Sequence, residues 1–164
     1  MTFEEYALAR GVALFRFARL LTADDHRAED LVQDVLAQAY AGWRRISALD
    51  QPDLYVRRML INANRSWWRR ATNREVAVAE ISGPAIAQDS AAEWAERDEL
   101  WRLIMTLPRG QRTVIVLRYY EDYDDATIAE LLNCAPGTVR TQAKRALDRL
   151  QQLRPARVDA KGDR

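Results

Sequence analysis

Between Ala28 and Trp43 the apolar residues Ala28, Leu31, Val32, Val35, Leu36, Ala39, Tyr40 and Trp43 recur at intervals of three and four. That spacing gathers them on one side of an α-helix but would scatter them over both faces of a strand. The same period returns elsewhere, and no run of alternating apolar and polar residues rich in β-branched types competes with it. The chain therefore reads as all-α. A first helix is expected over about Thr2 to Leu21, opened by the capping-box spacing of Thr2 and Glu5, with Phe3, Tyr6, Ala7, Leu14, Phe15, Ala18 and Leu21 on its apolar side. The second covers about Asp24 to Trp43. After a loop from Ser47 closed by Pro52, a third spans about Asp53 to Arg70, with Val56, Met59, Leu60, Ala63 and Trp67 turned to the core.

From Ala71 to about Gln88 the period fails around Ser82-Gly83-Pro84, which marks a linker. Helices resume at Ser90, whose spacing to Glu93 again suits a capping box, and stop before Pro108. Pro108 opens the next, to about Tyr120; Asp124 is a candidate N-cap for a short helix through Leu132; and after Asn133-Cys134-Ala135-Pro136-Gly137 the last runs to about Leu153. The expected organisation is two small helical domains, 1–70 and 90–153, joined by a flexible linker, 71–89, and followed by a frayed tail, 154–164.

Composition narrows the function. The chain has 164 residues, a formal net charge of +1, one cysteine and one histidine. Cys134 rules out an internal disulfide framework, and with His26 alone neither a cysteine-rich nor a histidine-based metal site is expected. Cys134 reads as a small filler in its turn rather than a redox sensor. Neither a secretion signal nor a membrane span is expected, and the inferred compartment is a reducing cytoplasm. No phosphate-cradling glycine loop and no nucleophile with a histidine partner occurs, so an enzyme is not expected, nor a cofactor.

Charge is sorted along the chain. Tyr40 to Arg74 carries eight arginines against Asp50 and Asp53; Glu75 to Glu99 carries seven acids against Arg97; Gly137 to Arg157 carries six basic residues against Asp148. From Asp125 to Leu150, a short helix, a glycine-containing turn and a second helix match the helix-turn-helix pattern. Val139, Ala143, Ala146, Leu147 and Leu150 fall on one side of that second helix, so Thr141, Lys144 and Arg145 point outward, with Arg140 at the edge. Such a helix suits a major groove; an ordinary amphipathic surface helix is the alternative. On the third helix Arg58, Asn62, Arg65 and Arg69, spaced four, three and four, form a stripe in which arginines could hold phosphates and an amide could read a base edge, or which could simply be solvated. The acids Asp30 and Asp34, with Gln33, would repel DNA and suit a basic protein partner, or water.

Four segments together resemble bacterial RNA polymerase sigma factors of the extracytoplasmic-function type: Ala28-Glu29-Asp30-Leu31-Val32-Gln33-Asp34, Arg58-Met59-Leu60-Ile61-Asn62, Leu107-Pro108-Arg109-Gly110-Gln111-Arg112 with Leu117-Arg118-Tyr119, and Gly137-Thr138-Val139-Arg140. The resemblance implies a transcription initiation factor with regions 2 and 4 of that family. It implies that Asp30, Gln33 and Asp34 grip the clamp helices of the polymerase largest subunit. Asn62 is implied to read a flipped base of the minus-ten element, with the loop from Ile46 to Asp53 helping to form the pocket and Arg65 and Arg69, beside Arg58, holding backbone phosphates. In the minus-thirty-five element Arg140, Thr141, Lys144 and Arg145 are implied to read the groove, with Arg118 on a phosphate. The implied partners are core RNA polymerase, including the flap of its second-largest subunit, promoter DNA, and a restraining anti-sigma factor. Ala135 stands where the family often has serine at the N-cap of the recognition helix. A stand-alone helix-turn-helix regulator is the rival reading.

Overall fold

A computed structural model describes residues 1–73 and 93–153, with side chains from residue 99 onward in the second part. The linker and the capping pair Ser90 and Glu93 fall largely or wholly outside the described residues, as does the tail. Helix and turn account for the described chain, in the order α1 Phe3–Thr22, α2 Asp25–Ala41, α3 Trp43–Ile46, α4 Pro52–Asn73, α5 Glu93–Met105, α6 Arg109–Ile115, α7 Asp125–Leu132 and α8 Pro136–Leu153.

Local chemistry sets most of these boundaries. The Thr2 hydroxyl accepts from the Glu5 amide at 3.2 Å while the Glu5 carboxylate accepts from the Thr2 amide at 2.8 Å, a complete capping box at the start of α1. Ala23, at φ 57°, closes α1 in the left-handed region. Asp24 then caps α2 through the Arg27 amide at 2.9 Å, and Asp124 caps α7 through the Thr127 amide at 2.7 Å. The Thr127 amide, with the Thr127 side chain, holds the Asp124 carboxyl below its usual range. Asn133, at φ 52°, closes α7.

Two boundaries differ from the sequence expectation. α2 does not continue to Trp43: it stops at Ala41, Gly42 forms the cap, and the chain restarts as α3. There the Trp43 indole donates to the Met1 carbonyl at 3.2 Å and its ring packs edge-on against Phe3. Beyond Ile115 the helix widens into a π turn over Val116–Tyr120, closed by the Glu121 amide on the Val116 carbonyl. Val116 and Leu117 of this turn are both buried.

Phe17, Leu14, Leu21, Val35, Val56, Leu60 and Ile61 build the core of the first half, and it is continuous with Val114, Val116, Leu117, Ile128, Leu131 and Val139 of the second. Burying each such side chain contributes about 1.5–3 kcal/mol. Ile104, Leu107, Ile115 and Ala146 form a smaller cluster under α5. Phe17, absent from the expected apolar side of α1, is completely buried. Tyr40 and Trp67, expected in the core, are 62% and 40% exposed, and Leu147 is also exposed. No helix among the described residues is long and apolar enough to cross a membrane.

Candidate nucleic-acid and polymerase interfaces

α2 buries Ala28, Leu31, Val32, Val35 and Ala39, which turns Asp30, Gln33 and Asp34 together onto its exposed face. None of the three is tied up in a side-chain hydrogen bond or ion pair with another described residue, so the patch offers two carboxylates and an amide to a partner without first breaking an internal contact.

α4 carries the second surface. Val56, Leu60 and Ile61 fix its buried side, which leaves Asn62, Arg65 and Arg69 exposed and Arg58 half-buried along the expected stripe. The stripe is only partly free: the Arg65 guanidinium donates to the Leu132 carbonyl at the end of α7, 2.9 Å away. Residues Ser47 to Gln51 of the adjoining loop are exposed. Asp53, at its end, is engaged internally, accepting from the Tyr6 hydroxyl at 3.0 Å and pairing with Arg57. Burial, then the Asp53 charge, holds the Tyr6 phenol well above its ordinary value.

α8 carries the third. Val139, Ala143 and Ala146 face inward, and Arg140, Thr141, Lys144 and Arg145 are exposed on the outer side. The Thr141 hydroxyl donates to the Gly137 carbonyl at 2.9 Å, leaving its oxygen to accept. Lys144 lies 3.9 Å from Asp148, both highly exposed, a pairing that water and salt largely screen. Arg118 sits 3.4 Å from Asp125, so it is part of an internal pair before any phosphate arrives.

Three further arginines were not singled out by sequence spacing. Arg27 stacks 3.4 Å over the Trp67 ring and donates to the buried Asn64 amide oxygen at 3.0 Å. Burial, together with the charges of Arg109 and Arg112, lowers its pKa to about 10. Arg57 is buried between Asp53 and Glu121; burial alone would lower its pKa, but the hydrogen bond and charge of Glu121, with Asp53, outweigh it. Arg112, also buried, donates to the Leu21 carbonyl at 3.1 Å and to the Met105 carbonyl at 3.2 Å. The four-residue spacing of Asp53 and Arg57 was the available signal; nothing local announces Arg112.

These surfaces lie on segments that known proteins share. Residues 9–74 match the family described as Sigma-70 region 2, and residues 97–150 match Sigma-70, region 4. The chain is 37% identical over 163 residues to an RNA polymerase sigma-E factor of Streptomyces coelicolor, covering 98% of this chain and 91% of the relative. It is 30% identical over 140 residues to the ECF RNA polymerase sigma factor SigM of Mycobacterium tuberculosis, covering 85% and 70%. Among solved structures, the sigma factor RpoE in complex with the anti-sigma factor NepR, from Bartonella quintana, superposes with a TM-score of 0.76 at 28% identity, covering 92% of this chain and 95% of that one. The chain belongs to the sigma-70 family of RNA polymerase sigma factors, in its ECF group. It is a transcription initiation factor, with RNA polymerase and promoter DNA as its partners.

Proposed function

We propose that the three surfaces divide the work of initiation. Region 2, residues 1–70, binds the clamp helices of the polymerase largest subunit through Asp30, Gln33 and Asp34 and holds the melted minus-ten element on α4. There Arg58, Arg65 and Arg69 take backbone phosphates, which fixes register, while the exposed Asn62 amide reads one flipped base. Flipping a base costs a few kcal/mol, and a matched pocket returns part of it for the right base only, so melting becomes selective. Region 4, residues 90–153, docks on the flap of the second-largest subunit and lays α8 in the minus-thirty-five groove, with Arg140, Thr141, Lys144 and Arg145 toward the DNA and Arg118 on a phosphate. In sequence the linker, 71–89, joins the two regions and the tail, 154–164, follows them. An anti-sigma protein, of the kind bound to the Bartonella relative, is the further partner this reading admits.

The observation that carries this reading is the sorting of charge by face: acids alone on the outer side of α2, a basic stripe on α4 and a basic outer face on α8. Two small basic surfaces gain avidity on DNA only when a scaffold fixes their separation, which explains why a polymerase-binding patch accompanies them. Asn62→Ala tests it: open-complex formation should fall while polymerase binding persists. Equal loss of both would overturn the assignment of Asn62. Tight, specific duplex binding by the chain without polymerase would favour a stand-alone regulator.

A further inference from the structure

The outer side of α1 carries a stripe that none of the surfaces on α2, α4 and α8 shares. Glu4, Leu8, Gly11, Val12, Phe15 and Arg19 fall within about 100° of one another around the helix axis. Leu8 is 86% exposed and Val12 64%, while Phe15 is half-buried against the core. Gly11 lies between them in mid-helix. Its φ is not positive, and a Cβ at that position would meet nothing within 4 Å, so the fold of this chain has no need of glycine there. Glycine in a helix interior nevertheless lowers helix stability relative to alanine. A bare backbone position in the middle of an exposed apolar stripe suits the close approach of a second helix from outside.

The order of the residues identifies that helix. If a second α1 lies antiparallel, with a two-fold axis between Gly11 and Val12, three pairs are centred on the axis: Val12 enters the notch at Gly11, Leu8 meets Phe15, and Glu4 meets Arg19. In such an isologous contact residue i touches j and j touches i, so every member of the stripe finds its complement in the other copy. The charges are available for it. Glu4 is exposed and makes no side-chain hydrogen bond or ion pair with another described residue. Arg19 meets Asp25 through its Nε and is still 38% exposed, with guanidinium donors to spare. We propose that two copies of the free chain pair through α1, antiparallel about this axis. A foreign partner would have no reason to find a carboxylate and a guanidinium equidistant from the notch, whereas a second copy requires it. One helix from each copy buries less than the roughly 1,200 Å² at which stable interfaces begin, so the pairing is weak and depends on concentration.

Sedimentation equilibrium of the full chain over roughly 10 µM to 1 mM, the range that weak interfaces occupy, tests this. The average mass of the native chain should climb from 18.9 kDa toward twice that value. Gly11→Leu fills the notch without touching its own chain and should hold the mass at that of one copy, with helix content unchanged. Glu4→Arg and Arg19→Glu should each weaken association about tenfold, because two like-charged pairs then face each other across the axis. An equimolar mixture of those two variants should recover it, since each copy supplies the charge that the other lacks. Mixing does not rescue a folding defect. A native chain that stays single over this range, a Gly11→Leu chain that associates as the native one does, or mixed variants that fail to recover would overturn the pairing. So would loss of core polymerase co-purification by Gly11→Leu, which would assign the notch to polymerase instead. Should Gly11→Leu lose helicity, Leu8→Glu, at an almost wholly exposed position, takes its place: it should abolish association, and association equal to the native chain's would overturn the proposal.

Discussion

Arg57 and Glu121, 64 residues apart in sequence, meet through a 2.6 Å hydrogen bond in the interior between the two halves of the chain. The pair joins α4, which carries the proposed minus-ten surface, to the segment leading into the helix-turn-helix.

Core packing predicts where substitutions cost most. Phe17 is completely buried and Leu8, on the same helix, is 86% exposed. Phe17→Ala should destabilise the chain by about 3–5 kcal/mol, the range for a buried aromatic emptied to alanine. Leu8→Ala should change stability by no more than about 0.5 kcal/mol. Urea unfolding of the two variants checks this contrast, and a small effect at Phe17 would contradict the core.

Alkaline titration should expose two phenols, buried Tyr6 and half-buried Tyr123. Burial raises the folded-state pKa of Tyr6 and of Tyr123 above the ordinary phenol value of 10.0. Their contribution to stability is therefore complete below pH 10 and is lost as pH rises toward the folded values, because the unfolded phenols ionise first. Arg27 acts oppositely, since its folded pKa of about 10 lies below the ordinary guanidinium value. Comparing native chain with Tyr6→Phe isolates the phenol. The variant's stability should fall less steeply above pH 10 in thermal melts, and parallel curves would contradict the assignment.

Ala135 precedes the recognition helix and donates no side-chain acceptor to it, while its carbonyl already receives the Thr138 amide at 2.9 Å. Ala135→Ser supplies the missing cap and should stabilise the chain by about 1 kcal/mol, read as a raised melting temperature. An unchanged or lowered Tm would show that the exposed α8 terminus is not limited by its cap.

On α8 the outward cations make a salt-dependence prediction. Lys144→Ala should weaken minus-thirty-five-dependent promoter binding by the holoenzyme evenly across sequences and reduce the slope of log affinity against log salt by about 1. A slope that does not change would place Lys144 off the phosphates.

The helices were legible because their apolar period and their caps are local: Thr2 with Glu5, Asp24 and Asp124 each act within three residues. The break at Gly42 was less so, since Trp43 fits the period of α2 and only its contacts with Phe3, Tyr6 and Met1 make α3 a separate turn. Trp67 satisfied the core period of α4 too, yet remains partly exposed because Arg27 covers its ring as a cation rather than an apolar neighbour. Spacing placed the outer faces of α2, α4 and α8. It could not reveal that Arg65 spends a hydrogen bond on Leu132 or that Arg57 finds Glu121, for both depend on how distant segments meet.

The acidic face of α2 is the point on which the proposed division of labour turns, because without a polymerase contact the two basic surfaces have nothing to set their distance. The direct measurement is co-purification of core RNA polymerase with the chain carrying Asp30→Lys and Asp34→Lys. Charge reversal at these exposed positions should leave helicity intact and cut polymerase association by about tenfold or more, the scale at which opposed charges across an interface act. Association equal to that of the native chain would contradict the account.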